Sequence, residues 1–181
     1  MNQTLDSAIE SGLGPVVRKA HVEDAGGIHD VIKRYQFRSD KTGQLIPLDL
    51  PEITARVAAG TFYVAEADKK VVGCSSLVEY DGLAELRSWA VLPGYQGKNI
   101  GTELALAVIE EAKARGHAQI HTLTQPKNFS LVKEKLEFVK TETPVEKLLK
   151  DCAHCPLYNN GCNETAFVKT LQPLQPAQLK P

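Results

Sequence analysis

The sequence predicts an α/β protein of the α+β type, a mixed central sheet flanked by helices. Three alternating apolar stretches follow one another between residues 61 and 91, the pattern of an antiparallel meander. A strand, a glycine-rich loop, a long Ala/Leu/Glu helix and another strand then make a βαβ unit, with a right-handed crossover and parallel strands. With 181 residues, 43% hydrophobic and 24% charged, the chain fits one domain with a sizeable core.

Residues 1–15 read as a flexible leader, and 172–181, "QPLQPAQLKP", as a disordered Pro/Gln tail that favours extended conformations; the domain is placed at 16–171. "VVRKAHVED" is a short strand running into a turn. From 24 to 35, Ile28, Val31, Ile32 and Tyr35 recur at i, i+3, i+4, i+7, so a helix is expected, its first turn weakened by Gly26 and Gly27. A second helix starts at about Pro51, proline being tolerated at a first helical position. The strands "TFYVAEA" and "VVGCSSLVEY" are joined by the turn "DKK", and "AELRSWAV" completes the meander. Alternation along that last strand puts Glu85, Arg87 and Trp89 on one face and Leu86, Ser88 and Ala90 on the other. Residues 101–115 form a helix closed by Gly116, and "AQIHTLT" is the strand after it.

A net charge of -1 gives no basic excess, so nucleic acid is not an expected partner. No window offers the ~18 consecutive apolar residues of a spanning helix, so no membrane role is expected. "MNQTLDSAIESGLGP" has neither a positive n-region nor an apolar h-region, and a cytoplasmic enzyme-sized domain is expected. In that setting "NFS" and "NET" are chance matches to glycosylation acceptors.

The stretch "PGYQGKNIG" joins the end of a strand to the start of a helix. Such a junction presents unpaired N–H groups and the positive end of the helix dipole, which suits a phosphate. Gly97 and Gly101 allow close backbone approach, and Lys98 adds charge. A plain glycine-rich turn fits the same residues; a Walker A ending and a G-x-G-x-x-G spacing are both absent.

"LRSWAVLPGYQGKNIGTELALAVIEEAKARG" resembles the acetyl-CoA-binding core of the GCN5-related N-acetyltransferase (GNAT) family, whose signature after its fourth strand is Q/R-x-x-G-x-G/A. The order of elements over about residues 16–140 matches as well. The resemblance implies the GNAT fold, a mixed central sheet with splayed fourth and fifth strands. It implies acetyl-CoA as cosubstrate, its pyrophosphate on the loop residues Gln96, Gly97, Lys98, Asn99, Ile100, Gly101 and Thr102. It also places the pantetheine arm against backbone groups of Trp89, Ala90 and Val91, with an amide near Ala90 or Val91 polarising the thioester oxygen. The same implied chemistry requires no metal. Together with "QLIPLDLPEI" and "DCAHCPLYNNGCNETAFVKTL", the loop region resembles short bacterial N-acetylglutamate synthases, which implies a small amino-acid substrate and a role in arginine biosynthesis.

An amino-acid acceptor fits Arg87, whose guanidinium can clamp a carboxylate bidentately. Its ammonium must lose a proton, and Glu85, on the same strand face, is the candidate general base. The alternatives, an Arg87–Glu85 ion pair and a plain surface carboxylate, stay open. His117 and His121 are left out of the site. Two departures from the family pattern stand out: Asn99 occupies a usual glycine position, which asparagine can follow into left-handed backbone, so acetyl-CoA binding is expected to be retained, with its weakening by the intruding side chain left open. In "NFSLVKEKLEFVK", Glu137 replaces the glycine of a Leu-Gly-Phe turn and Lys133 stands where an aromatic acid is usual, leaving solvent or Lys133 to protonate the leaving thiolate.

In the C-terminal segment 142–171, Cys152 and Cys155 with Cys162 resemble half of a zinc site, but no fourth ligand is at hand, His154 lying inside the C-x-x-C. Reduced thiols packing a C-terminal hairpin or lying near the substrate are the reading preferred over a metal site. Three functions therefore remain: acetylation of an amino acid, foremost glutamate; acetylation of another small amine or a protein amine; and an acetyl-CoA-binding sensor or partner module with little catalysis. The oligomeric state is left open, a homodimer being one option.

Overall fold

The strands are β1 (Val16–Lys19), β2 (Phe62–Ala67), β3 (Lys70–Tyr80), β4 (Leu83–Val91), β5 (Gln119–Thr124), β6 (Val139–Lys140) and β7 (Thr165–Thr170). A computed structural model describes residues 14–36, 45–80, 82–141, 155, 157 and 160–171. Residues 1–13 of the leader, the tail, Cys152 and His154 lie outside the described residues. The strands form one mixed sheet in the order β1-β2-β3-β4-β5-β7-β6, in which β4 and β5 are parallel and every other neighbouring pair is antiparallel. β7 is a strand that the sequence reading did not place, and it takes all six residues of β5 as partners.

Helices α1 (Ala25–Tyr35) and α2 (Leu50–Ala58) cover one face, where Ile28, Val31, Ile32 and Ile53 pack on Phe62, Val64 and Cys74. α3 (Ile100–Ala114) covers the other, with Ala105, Val108 and Ile109 against Leu77, Leu86 and Ile120. The Asp49 side chain caps α2 by accepting from the Glu52 amide at 2.8 Å. Gly27 has a packing reason: a Cβ there would lie 2.8 Å from Val71 Cβ, so glycine lets α1 approach β3.

Two irregularities shape the site. The first is the splay. β4 and β5 are in register only at Ala84–Ile120 and Glu85–His121, and the Thr122 hydroxyl then donates to the Leu86 carbonyl at 3.1 Å. Past that point the strands diverge, leaving backbone groups of both without a strand partner across the gap.

The second corrects the expected strand faces. Ser76 pairs with Arg87 and Cys74 with Ala90, so Ser88 and Trp89 together stand opposite Ser75, a β-bulge. Ser88 takes φ 47, left-handed backbone that costs a non-glycine residue about 1–3 kcal/mol. The Cys74 thiol donates to the Ser88 carbonyl at 3.2 Å, and burial pushes that thiol up to about 12, so it keeps its proton. One extra residue reverses the alternation. Trp89 therefore turns to the α3 side with Leu86, while Ala90 joins Glu85 and Arg87 on the α1/α2 side.

Candidate active site

A cavity of about 590 Å³ lies in the splay between β4 and β5. Trp89, Ala90 and Val91 line one wall, Thr122, Leu123 and Thr124 the other, and Gln96, Gly97, Asn99, Gly101 and Thr102 one end. The other two expected loop residues do not face it: the Ile100 side chain is buried in the core, and the Lys98 ammonium sits 5.5 Å from the centre of the Tyr95 ring. Lys127 and Lys135 supply cations to the cavity lining instead.

The loop geometry follows from its residues. Gly97 takes φ 78 and Asn99 φ 65, so Asn99 does follow glycine into the left-handed region. Asn99 is the N-cap of α3, yet its side chain makes no capping bond. Among the described residues, the cavity-lining amides of Gly97, Asn99, Gly101 and Thr102 donate to no backbone acceptor outside the helix. The loop is anchored from behind: Gln96 Nε2 donates to the Val91 carbonyl at 2.9 Å and to the Tyr35 hydroxyl at 3.0 Å, and Tyr35 donates to the same carbonyl at 2.6 Å. Trp89 Nε1 donates to the Gly101 carbonyl at 2.8 Å. These bonds hold the loop against the cavity at the positive end of a 15-residue helix. The same bonds commit both lone pairs of the Val91 carbonyl, which leaves Val91 its amide.

A second cavity of about 250 Å³ opens beside the first. Its polar lining includes Glu85 and Arg87 from β4, Glu52 and Arg56 from α2, and Cys155, Cys162 and Glu164 from the C-terminal segment. Leu45, Leu86, Ser88, Leu123 and Glu164 line both cavities, so the two adjoin. Glu85 is 2% exposed and its carboxylate lies 3.6 Å from the Arg87 guanidinium. Arg87 Nη1 also donates to the Tyr80 hydroxyl. The ion pair and the cavity are thus both present: Arg87 is held in place on the wall of the cavity.

Sequence reasoning missed Glu164 as a site residue. It stands just before β7, and burial pushes its carboxyl up to about 7 against a smaller downward pull from Arg87. The one signal in the sequence was its place after Cys162 in the segment quoted for the resemblance. Cys155 and Cys162 are free thiols on the wall of the smaller cavity, and no group of three metal-ligating side chains occurs among the described residues. Lys133 is exposed and lines neither cavity, so it does not reach a thiolate bound in the splay. Glu137 adopts the left-handed conformation of the glycine it replaces, φ 58, and pairs with Lys169 at 2.9 Å. His117 pairs with Glu79 at 2.7 Å, and burial holds the His121 ring below its ordinary value; neither lines a cavity.

The model of the acetyltransferase (GNAT) family matches residues 28–133, more than half of the chain. An uncharacterized N-acetyltransferase of Chlorobaculum tepidum is 32% identical over 159 residues, which cover 86% of this chain and 96% of that protein. An amino-acid acetyltransferase of Aeromonas salmonicida is 29% identical over 109 residues, 59% of this chain but 23% of that protein, so the chain spans about a quarter of that relative's length. The crystal structure of N-acetylglutamate synthase from Neisseria gonorrhoeae, complexed with coenzyme A and N-acetyl-glutamate, superposes with a TM-score of 0.68 at 20% identity. That match covers 90% of this chain and 36% of the other, and it speaks for the fold.

Proposed function

The chain belongs to the acetyltransferase (GNAT) family, and on that premise we propose that it moves the acetyl group of acetyl-CoA to the α-amine of an amino acid, L-glutamate foremost. The observation that carries this reading is the adjacency of the two cavities. One ends on a loop of unpartnered amides and the other on a fixed guanidinium, with shared walls between them.

The residues fit the cosubstrate. The amides from Gly97 to Thr102 hold the pyrophosphate, Gln96 fixes the loop from behind, and backbone groups of Trp89 and Ala90 with the Val91 amide face the pantetheine arm. Lys127 and Lys135 add positive charge. Acetyl-CoA supplies an electrophilic thioester carbon. Arg87 takes a carboxylate of the acceptor, and Glu85 and Tyr80 keep the guanidinium oriented. Proton transfer falls to one of two acids, Glu85 or Glu164. A cytoplasmic place and a role in arginine biosynthesis belong to the same reading.

Acetylation of another small amine is the second reading. It is favoured by the smaller cavity's acids: Glu52, Glu85 and Glu164 against Arg56 and Arg87. Thiol release from acetyl-CoA, measured with a panel of amino acids and simple amines and with products identified by mass spectrometry, separates the two. Glutamate is expected to lead. Arg87→Ala is expected to lower its kcat/KM by about 10- to 100-fold, the scale of a lost charge-assisted hydrogen bond, with acetyl-CoA binding by calorimetry unchanged. Turnover of amines that lack a carboxylate, indifferent to Arg87→Ala, would contradict the amino-acid reading.

A further inference from the structure

Transfer to an amine requires the removal of an ammonium proton where the acceptor meets the thioester, so the base has to stand where the two cavities join. Among the described residues, Glu164 is the acid that lines both cavities; Glu52 and Glu85 line the smaller one. Glu85 is 2% exposed and lies against the Arg87 guanidinium at 3.6 Å, so a proton moving onto it weakens an ion pair that is already made.

We propose that Glu164 is the catalytic residue that takes the substrate's ammonium proton at the junction of the cavities, a role that rests on the acetyl-transfer reading above. Several charged and titratable groups share these walls. From β4 they are Arg87 and Glu85, and from α2 Arg56 and Glu52. The C-terminal segment adds Cys155 and Cys162, and the lining of the larger cavity adds Lys127 and Lys135. Burial acts on Glu164 more strongly than Arg87 does, and holds its carboxyl near 7. At neutral pH such a group is partly ionised and still basic enough to take a proton, the balance a general base needs.

The step balances as follows. An N–H bond of the ammonium breaks and its proton passes to a Glu164 carboxylate oxygen, directly or through one water. The freed lone pair forms the C–N bond at the thioester carbon, and the C–S bond breaks with its electron pair on sulfur. The sulfur takes the second N–H proton, and Glu164 returns its own to solvent.

Thiol release by full-length wild type, Glu164→Gln, Glu164→Asp and Glu85→Gln, followed from pH 5.5 to 9.5 with calorimetry of acetyl-CoA on each, tests this. In the wild type, kcat/KM is expected to rise with an inflection near 7. Glu164→Gln should lose about 10²–10⁴-fold in kcat at neutral pH, keep its acetyl-CoA affinity, and regain rate as pH rises and free amine accumulates. Glu164→Asp should keep part of the rate, and Glu85→Gln should raise KM and leave the inflection in place. The proposal is overturned if Glu164→Gln keeps kcat within threefold, or if the loss and the missing inflection fall on Glu85→Gln. Carboxyl carbon NMR of the wild type needs no variant to turn over: a Glu164 midpoint below 5 overturns the base role by itself. Absence of thiol release by wild type with every amine defeats the acetyl-transfer reading, and the base role with it, whatever the midpoint.

Discussion

Replacing Glu164 by glutamine removes a carboxyl that the fold holds at about 7 in place of 4.5, and the difference is readable as stability. At 1.36 kcal/mol per pH unit, a shift of that size is worth about 3 kcal/mol if fully expressed. Glu164 is half-buried and solvent relaxes part of the penalty, so about 1–2 kcal/mol is expected. The folded state binds this proton more tightly than the unfolded state does. The contribution is therefore fully present below about pH 4.5 and is lost as pH rises through about 7. Urea denaturation of wild type and Glu164→Gln at half-unit steps from pH 4.5 to 8, with the two free energies subtracted at each step, isolates this group. Other shifted groups cancel in the difference, such as Asp24, which the Arg18 guanidinium holds below its ordinary value. Wild type should lose about 1–2 kcal/mol relative to the variant across the window. A flat difference, or one in which wild type gains with rising pH, would refute the desolvated carboxyl.

Asn99→Gly keeps a left-handed position open to glycine and withdraws a side chain from the larger cavity. Acetyl-CoA should bind more tightly by calorimetry, with thermal stability changed by less than about 1 kcal/mol; weaker binding would give the Asn99 amide a role on the ligand. Gly27→Ala gains about 0.8–1.0 kcal/mol of helix propensity but drives a Cβ to 2.8 Å from Val71 Cβ, an overpacking of about 1–3 kcal/mol. Denaturant titration should show net destabilisation, smaller when Val71→Ala accompanies it; purely additive effects would mean that the two side chains do not collide.

What was legible in the sequence was local. The strand–loop–helix junction could be read because Gln96 to Gly101 is contiguous and sits between an alternating strand and an Ala/Leu/Glu helix. The left-handed Asn99 was foreseen from asparagine's own backbone preference. What escaped depends on distant partners. The bulge at Ser88 is fixed by its register against β3 and by the Cys74 thiol, so strict alternation misplaced Trp89 and Ala90. The "TAFVKT" of β7 alternates, but its partner β5 lies some 40 residues earlier, across the cysteine segment. Glu164 is set apart by burial, a property of the folded chain that its neighbours in sequence do not carry. Lys133 followed a positional analogy, and its helical turn, Leu131–Lys135, points it to solvent while Lys135 lines the cavity.

The central claim is that the splay between β4 and β5 holds acetyl-CoA with its pyrophosphate on the amides of the loop, and delivers the thioester to the cavity beside Arg87. A titration of the isotope-labelled protein with acetyl-CoA, followed by backbone amide NMR, tests it most directly. The largest shifts are expected at Gly97 to Thr102, with Trp89, Ala90 and Thr122 to Thr124 following, and a further addition of glutamate should then move Arg87 and Glu164. Saturable binding whose shifts fall away from that loop, or no binding at millimolar acetyl-CoA, would contradict it.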